Sequence, residues 1–117
     1  MSEINMPIIP YDMYESPQEL VIILPLGGVK KESIQIKVED YRIQIKGERE
    51  RPTCKESCLP IQEDCYRGPI ELLIDIPPQV YFDQIHSKLT LDNTLHIIVP
   101  KALVPEKIKL EIEYEAE

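Results

Sequence analysis

Apolar and polar residues alternate over several separate stretches of this chain, whereas no stretch shows a comparable helical stripe. In the clearest run, 33–39, Ile34, Ile36 and Val38 are separated by polar side chains. Other aliphatic residues with this spacing are Leu20, Ile22, Leu24, Ile43, Ile45, Ile70, Leu72, Ile74, Ile76, Leu89, Leu91, Leu95, Ile97 and Val99. Because successive side chains of a strand point to opposite faces, this period of two predicts an all-β chain of half-buried strands.

Turn-forming residues separate these runs. Asp40 and the pair Asp92–Asn93 each lie between two alternating runs and predict hairpins, since Asp and Asn tolerate left-handed backbone geometry. We expect Gly47 to end the strand that follows the first hairpin, and the two prolines at 77–78 to stop a later one. Short strands at this spacing, each with one apolar face, predict an immunoglobulin-like β-sandwich of two antiparallel sheets.

Size and charge restrict the function classes. A chain of 117 residues fits one domain, and its eleven prolines disfavour long helices. The formal net charge of −8 would repel a phosphate backbone, so nucleic acid is not an expected partner. No apolar run reaches the ~18 residues of a membrane span, and residues 1–10 do not resemble a secretion signal. We therefore expect a cytoplasmic protein.

Two stretches fall outside the sandwich pattern. Residues 48–68 are polar, carry Pro52 and Pro60, and are long for a connector in a compact domain, which predicts a mobile arm. After Pro100, the tail resumes alternation between aliphatic and charged residues. A strand with no remaining partner is typical of an interaction element, although one more intramolecular strand is an alternative.

The candidate reactive residues do not form a recognisable catalytic or metal-binding motif. Cys54, Cys58 and Cys65 lack the paired spacing of zinc knuckles, so reduced surface thiols are expected, with cross-linking of subunits as an alternative. His86 and His96 have no adjacent nucleophile motif and receive no role. The glycines at 27–28 lack the residues that complete a phosphate-binding loop and predict a turn.

The predicted strands also carry an ordered set of motifs. The most specific is 92–101, Asp-Asn-Thr-Leu-His-Ile-Ile-Val-Pro-Lys. The others are 12–15, 19–28, 29–34, 42–49 and 68–77. In this order the segments resemble the alpha-crystallin domain of small heat-shock proteins, with Asn93 at a position where that family has glycine.

The resemblance implies an ATP-independent holdase chaperone, which binds partly unfolded proteins and prevents their aggregation under stress, without enzymatic activity or a cofactor. It divides the chain into a short N-terminal arm (1–10), the β-sandwich (11–101) and a C-terminal extension (102–117). An alternative is the related CS-type sandwich, a co-chaperone or adaptor module that binds folded partners. A third interpretation, an enzyme or thiol-based sensor, depends only on the cysteines.

The same resemblance implies two contacts between copies of the chain. Residues 59–64 would add a strand beside 11–15 of a second copy and form a homodimer, whereas the tail would dock into a groove of a neighbouring dimer and build higher oligomers. The exchange residues would be Tyr11, Met13, Tyr14, Leu59, Ile61 and Gln62. The docking motif would be Ile108, Leu110 and Ile112, and the groove would be lined by Ile34, Ile36, Val38, Leu89 and Leu91.

Overall fold

The computed structural model describes residues 7–51, 57–102 and 109–116, and in these ranges the chain folds into two antiparallel sheets. The strands are β1 (Asp12–Glu15), β2 (Glu19–Pro25), β3 (Gln35–Glu39), β4 (Arg42–Arg49), β5 (Gly68–Asp75), β6 (His86–Leu89) and β7 (Thr94–Pro100). Two short 3-10 helices, η1 (Lys31–Ser33) and η2 (Phe82–Gln84), lie between strands. The prediction of an all-β sandwich is confirmed.

The four-stranded sheet has the order β1-β2-β7-β6, and the three-stranded sheet has the order β3-β4-β5. Fifteen apolar side chains form the core between them, and no polar or charged residue is buried in the described ranges. The core residues on strands are Leu20, Ile22, Leu24, Ile43, Ile45, Ile70, Ile74, Leu95, Ile97 and Val99. All ten belong to the runs with a period of two, so the alternation identified the inner face of β2, β4, β5 and β7 correctly.

Loops supply the core residues that the alternation did not identify. Ile9, Leu26, Val29 and Val80 are buried although none of them lies on a strand. Val29 and Val80 each form an isolated β-bridge, to Arg49 and Lys101 respectively. Such positions carry no periodic signal, because their burial depends on how each loop crosses the end of the sandwich.

The structure corrects the predicted start of the third strand. Residues 31–33 form η1, and β3 begins only at Gln35. The Ser33 hydroxyl donates to the Lys30 carbonyl oxygen at 2.5 Å and accepts from the Glu48 backbone N–H at 2.9 Å. The bond to Lys30 holds the turn closed, which is how a Ser side chain competes with strand formation, and the bond from Glu48 ties the turn to β4. Ile34 is half-buried against the core but lies outside the strand.

Both predicted hairpins are present. Asp40 and Tyr41 have φ values of 52° and 61° and join β3 to β4 through a two-residue loop. Positive φ at both loop positions matches the twist of the flanking strands. Asn93, with φ 63°, performs the same function between β6 and β7. Asparagine tolerates this left-handed geometry better than most residues other than glycine.

The prediction that Gly47 ends its strand is wrong. β4 continues through Gly47 to Arg49, and Gly47 lies opposite Ile70 of β5. A Cβ atom at position 47 would lie 2.9 Å from Cγ1 of Val29, a buried side chain. Glycine is therefore required here for close packing of a loop on the sheet, and its backbone flexibility is not used.

This packing predicts that Gly47→Ala lowers the free energy of unfolding by about 1–3 kcal/mol, because the buried, β-branched Val29 has little freedom to move. The matched control is Gly27→Ala, since nothing lies within 4 Å of a Cβ there. The control should be neutral or stabilising by up to about 1 kcal/mol. Denaturant unfolding at one protein concentration measures both values. Equal losses in the two variants would contradict the packing explanation.

Candidate self-association surfaces

Each sheet of the sandwich leaves two strands with one side unpaired in the described structure. These edge strands are β1 and β6 in the four-stranded sheet and β3 and β5 in the three-stranded sheet. The outer side of an edge strand presents N–H and C=O groups that another strand can pair with. The candidate functional site of this protein is therefore a set of edges rather than a cleft.

The β1 edge carries the predicted acceptor residues of the exchange. Tyr11, Met13 and Tyr14 are all exposed, although Met13 lies opposite the buried Ile22 on the inner face of the sheet. Tyr14 lies opposite Val21 on the outer face. Apolar side chains on both faces of an unpaired strand provide a surface that an added strand would cover.

The predicted donor segment lies apart from this edge. Residues 57–67 form no strand, and Leu59 and Ile61 are almost fully exposed. Gln62 donates a side-chain hydrogen bond to Asp64. The arm is anchored at its base, where the Arg67 guanidinium donates to the Glu50 carbonyl oxygen at 2.9 Å. Neither Leu59 nor Ile61 therefore pairs with the β1 strand of the same chain.

The predicted groove residues lie on or next to the edge strands β3 and β6. Ile36 of β3 and Leu89 of β6 are half-buried and, like Ile34, pack against the core, whereas Val38 is exposed at the edge. Leu91 lies in the turn beyond β6 and is 99% exposed. The predicted groove thus combines residues of two edge strands from different sheets with one side chain that projects from a turn.

An open depression of about 610 Å³ lies on the β6–β7 hairpin. Its lining includes Lys88, Leu89, Leu91, Thr94 and His96. The Lys88 ammonium and the Asp92 carboxylate both lie at this depression, so its aliphatic side chains, Leu89 and Leu91, make it suitable for a segment with an apolar face.

Threonine hydroxyls stabilise the turn of this hairpin. The Thr90 hydroxyl donates to Asp92, and the Thr94 backbone N–H donates to the Thr90 hydroxyl oxygen at 3.1 Å. The hydrogen bond from Thr90, followed by one from Thr94, holds the pKa of the Asp92 carboxyl below its ordinary value. The ionised carboxylate is therefore the form that supports the turn.

This lowered pKa predicts a pH-dependent effect of Asp92→Asn. Because the folded pKa lies below the unfolded one, Asp92 contributes stability above pH ~4, and that contribution is lost as the pH falls through the folded value. The variant should melt at a lower temperature than the parent at pH 7, and the difference should shrink below pH ~4. Asp83→Asn, at an exposed position on η2, is the control and should shift the melting temperature little. A difference that persists at low pH would contradict this assignment.

Residues 109–116 of the tail form no strand and pair with none of the seven strands. Leu110 and Ile112 are 80% and 72% exposed, and Ile108 lies outside the described residues. An intramolecular strand, the alternative left open by the sequence, is not formed by 109–116. Tyr114, which is not part of the predicted docking motif, continues the period of two and is 84% exposed. The signal for it was present in the sequence.

The thiols and histidines remain without an assigned role. Cys58 and Cys65 are exposed free thiols, and Cys54 lies outside the described part of the chain. Nδ1 of His86 lies 3.2 Å from the Gln84 carbonyl oxygen. Across 7–51, 57–102 and 109–116, no three His, Cys, Asp or Glu residues come together as a metal site. None of the helices in these ranges has the length and hydropathy to cross a membrane.

Comparison with known proteins agrees with the fold. The Hsp20/alpha crystallin family model matches residues 12–113. A 17.1 kDa class II heat shock protein of Pisum sativum is 30% identical over 101 residues, covering 86% of this chain and 66% of the relative. An 18.1 kDa class I heat shock protein of Arabidopsis thaliana is 31% identical over 98 residues, covering 82% of this chain and 58% of the relative. The chain thus spans somewhat less than two thirds of the length of these curated relatives.

Solved structures show the same architecture. A small heat-shock protein from Xylella fastidiosa superposes with a TM-score of 0.74 at 18% identity, covering 94% of this chain and all of that one. A mutant of hsp14.1 from Sulfolobus solfatataricus P2 gives a TM-score of 0.61 at 28% identity, covering 90% of this chain and 78% of that one. The family match extends from β1 through most of the tail. The chain belongs to the Hsp20/alpha crystallin family.

Proposed function

We propose that this protein is an ATP-independent holdase, a chaperone that binds partly unfolded proteins and prevents their aggregation. The observation that carries the proposal is the exposure of four aliphatic side chains on segments that pair with no strand of the described structure. These residues are Leu59, Ile61, Leu110 and Ile112. A domain with a complete core does not need these aliphatic residues for its own folding. Surfaces of this kind are typical of binding sites for other chains. We expect the protein to act in the cytoplasm.

A homodimer is proposed to form through exchange of residues 59–64 onto the β1 edge of a second copy. A symmetric exchange would satisfy the unpaired backbone groups of both copies at once. Two carboxylates near the contact already have cationic partners, which limits repulsion between the acidic segments. Glu63 accepts from Arg51 at 2.9 Å, and Glu15 lies 2.9 Å from the Lys101 ammonium.

Higher assembly is proposed to form through the tail motif Ile108, Leu110 and Ile112. Each aliphatic side chain that enters a groove contributes roughly 1.5–3 kcal/mol from burial. Association costs several kcal/mol in lost translational and side-chain freedom. A single tail contact is therefore weak, and an assembly built from such contacts exchanges subunits readily.

Client binding is proposed to use the surfaces that a departing tail uncovers. A tail that leaves its groove exposes the aliphatic residues Ile36, Val38 and Leu89, and an unfolding protein offers its own apolar segments in exchange. No nucleotide enters this cycle, because the driving force is competition between two apolar occupants. The formal net charge of −8 keeps a loaded complex dispersed through repulsion.

Light scattering of a heat-unfolding model protein, without ATP, tests the proposal directly. The full chain should suppress scattering near stoichiometric ratios, and a chain ending at Ala102 should suppress it to a different extent, because it lacks the segment that competes with clients. A folded protein of similar size and charge serves as the inert control.

Absence of suppression by both forms would contradict the holdase proposal. That result would favour the CS-type alternative, an adaptor that binds folded partners.

A further inference from the structure

Two arginine side chains come together where β4 ends. The loop that precedes η1 runs beside this end of the strand, since Val29 forms an isolated β-bridge to Arg49. On its other side, Arg49 lies opposite Gly68, the first residue of β5. Arg67 directly precedes that glycine. The end of β4 is thus the place where Arg49 and Arg67 approach the turn residue Gly28.

Gly28 borders the space that the two side chains share. A Cβ atom at position 28 would lie 3.3 Å from Nη1 of Arg67 and 3.6 Å from Cγ of Arg49. The same Nη1 donates to the Glu50 carbonyl oxygen at 2.9 Å, which holds the Arg67 guanidinium at the end of β4. Gly28 has φ 80°, a left-handed geometry that favours glycine. The residue therefore keeps this space open at an exposed turn.

Neither guanidinium has a carboxylate partner in the part of the chain that the structure describes. Glu48 lies on the opposite face of β4 from Arg49, and the Glu50 carboxylate lies 3.5 Å from the Lys30 ammonium. Nε of Arg49 is shielded from solvent and has no hydrogen-bond partner. A buried donor without an acceptor, beside a second positive charge, is destabilising, and a bound anion would offset this cost.

The two other arginines of the chain do have carboxylate partners. Arg42 pairs with Asp75 at 2.8 Å, and Arg51 pairs with Glu63 at 2.9 Å. The chain carries 21 acidic residues against 13 lysines and arginines, so carboxylates are abundant. Two adjacent arginines without a carboxylate are therefore unexpected in this protein, and their position at an open turn indicates a binding site for an external anion.

The charge and geometry of the pair favour a doubly charged oxyanion over a carboxylate. A guanidinium group donates two parallel hydrogen bonds to a phosphate or a carboxylate. Two such groups need more acceptor oxygens than one carboxylate offers, and a dianion is attracted by both positive charges. Both side chains are half-buried, so solvent weakens this attraction less than at an exposed residue. The net charge of −8 repels anions, but salt screens charges beyond about 8 Å.

We propose that Arg49 and Arg67, beside Gly28, form a binding site for inorganic phosphate. This inference goes beyond the holdase activity and does not depend on it. The bound phosphate bridges the end of β4 and the residue that leads into β5, at the base of the arm. Arg67 already anchors this base through the Glu50 carbonyl oxygen, so binding adds a second link at the same place.

Equilibrium dialysis of the full chain against radiolabelled phosphate, at constant ionic strength, tests the site. The parent should bind one phosphate per chain in a saturable manner. Arg49→Gln and Arg67→Gln should each weaken binding by about tenfold or more, as expected for loss of a hydrogen bond between charged groups. Arg42→Gln is the matched control, because Arg42 lies at the opposite end of the same strand and pairs with Asp75. Its affinity for phosphate should equal that of the parent.

Melting temperatures without phosphate show whether each variant is folded. If Arg49→Gln does not fold, Arg67→Gln still tests the site, because Arg67 lies outside the strands. No saturable binding by the parent, or equal losses in Arg42→Gln and the two site variants, would overturn the proposal.

Competition tests the preference for a dianion. Sulfate should displace the labelled phosphate at least about tenfold more effectively than acetate does, because the doubly charged ion interacts with both guanidinium groups. Equal displacement by acetate and sulfate would overturn the assignment to phosphate.

Discussion

Unpaired backbone groups at the edges of two open sheets are the constraint on which the rest of this structure depends. Packing a four-stranded sheet on a three-stranded sheet buries inner-face side chains of β2, β4, β5 and β7, with ten strand residues in the core. This packing provides no hydrogen-bond partners for the outward-facing N–H and C=O groups along the edge strands β1, β3, β5 and β6. A closed barrel would pair these groups internally, whereas a sandwich must leave them to water or to another chain.

The four edge strands differ in side-chain chemistry, so they differ in how readily each can accept an added strand. β5 is blunted by Pro69 and by carboxylates, as expected of an edge that should remain unpaired. β1 presents exposed aromatic and thioether side chains, and β6 presents a basic outer face. Two segments of the described chain belong to neither sheet and carry aliphatic residues at alternating positions. They are 57–67 and 109–116. We propose that these segments pair with the edges β1 and β6 in a reversible association of identical copies.

Periodicity predicted the sandwich because the burial of a strand residue depends on a local property, namely which face its side chain occupies. The same reasoning placed Asp40 and Asn93 in hairpin turns, where the backbone has positive φ. It failed where burial depends on contacts distant in sequence. Val29 is buried because its loop crosses β4 at Gly47, and neither residue signals this contact. Alternation also predicted the candidate exchange and tail segments, although the predicted tail motif did not include Tyr114. The distribution of charge over the edge strands could not be predicted in this way. That distribution requires the strand order.

Hydrogen exchange of the edge-strand amides at different protein concentrations tests the central claim most directly. The account predicts that outward-facing amides of β1 and β6 exchange quickly in dilute solution and become protected as the concentration rises. The amides of β5 should exchange at a rate independent of concentration, since its edge carries Pro69, Glu71 and Asp75. Exchange at β1 and β6 that does not depend on concentration, or protection that appears first at β5, would contradict it.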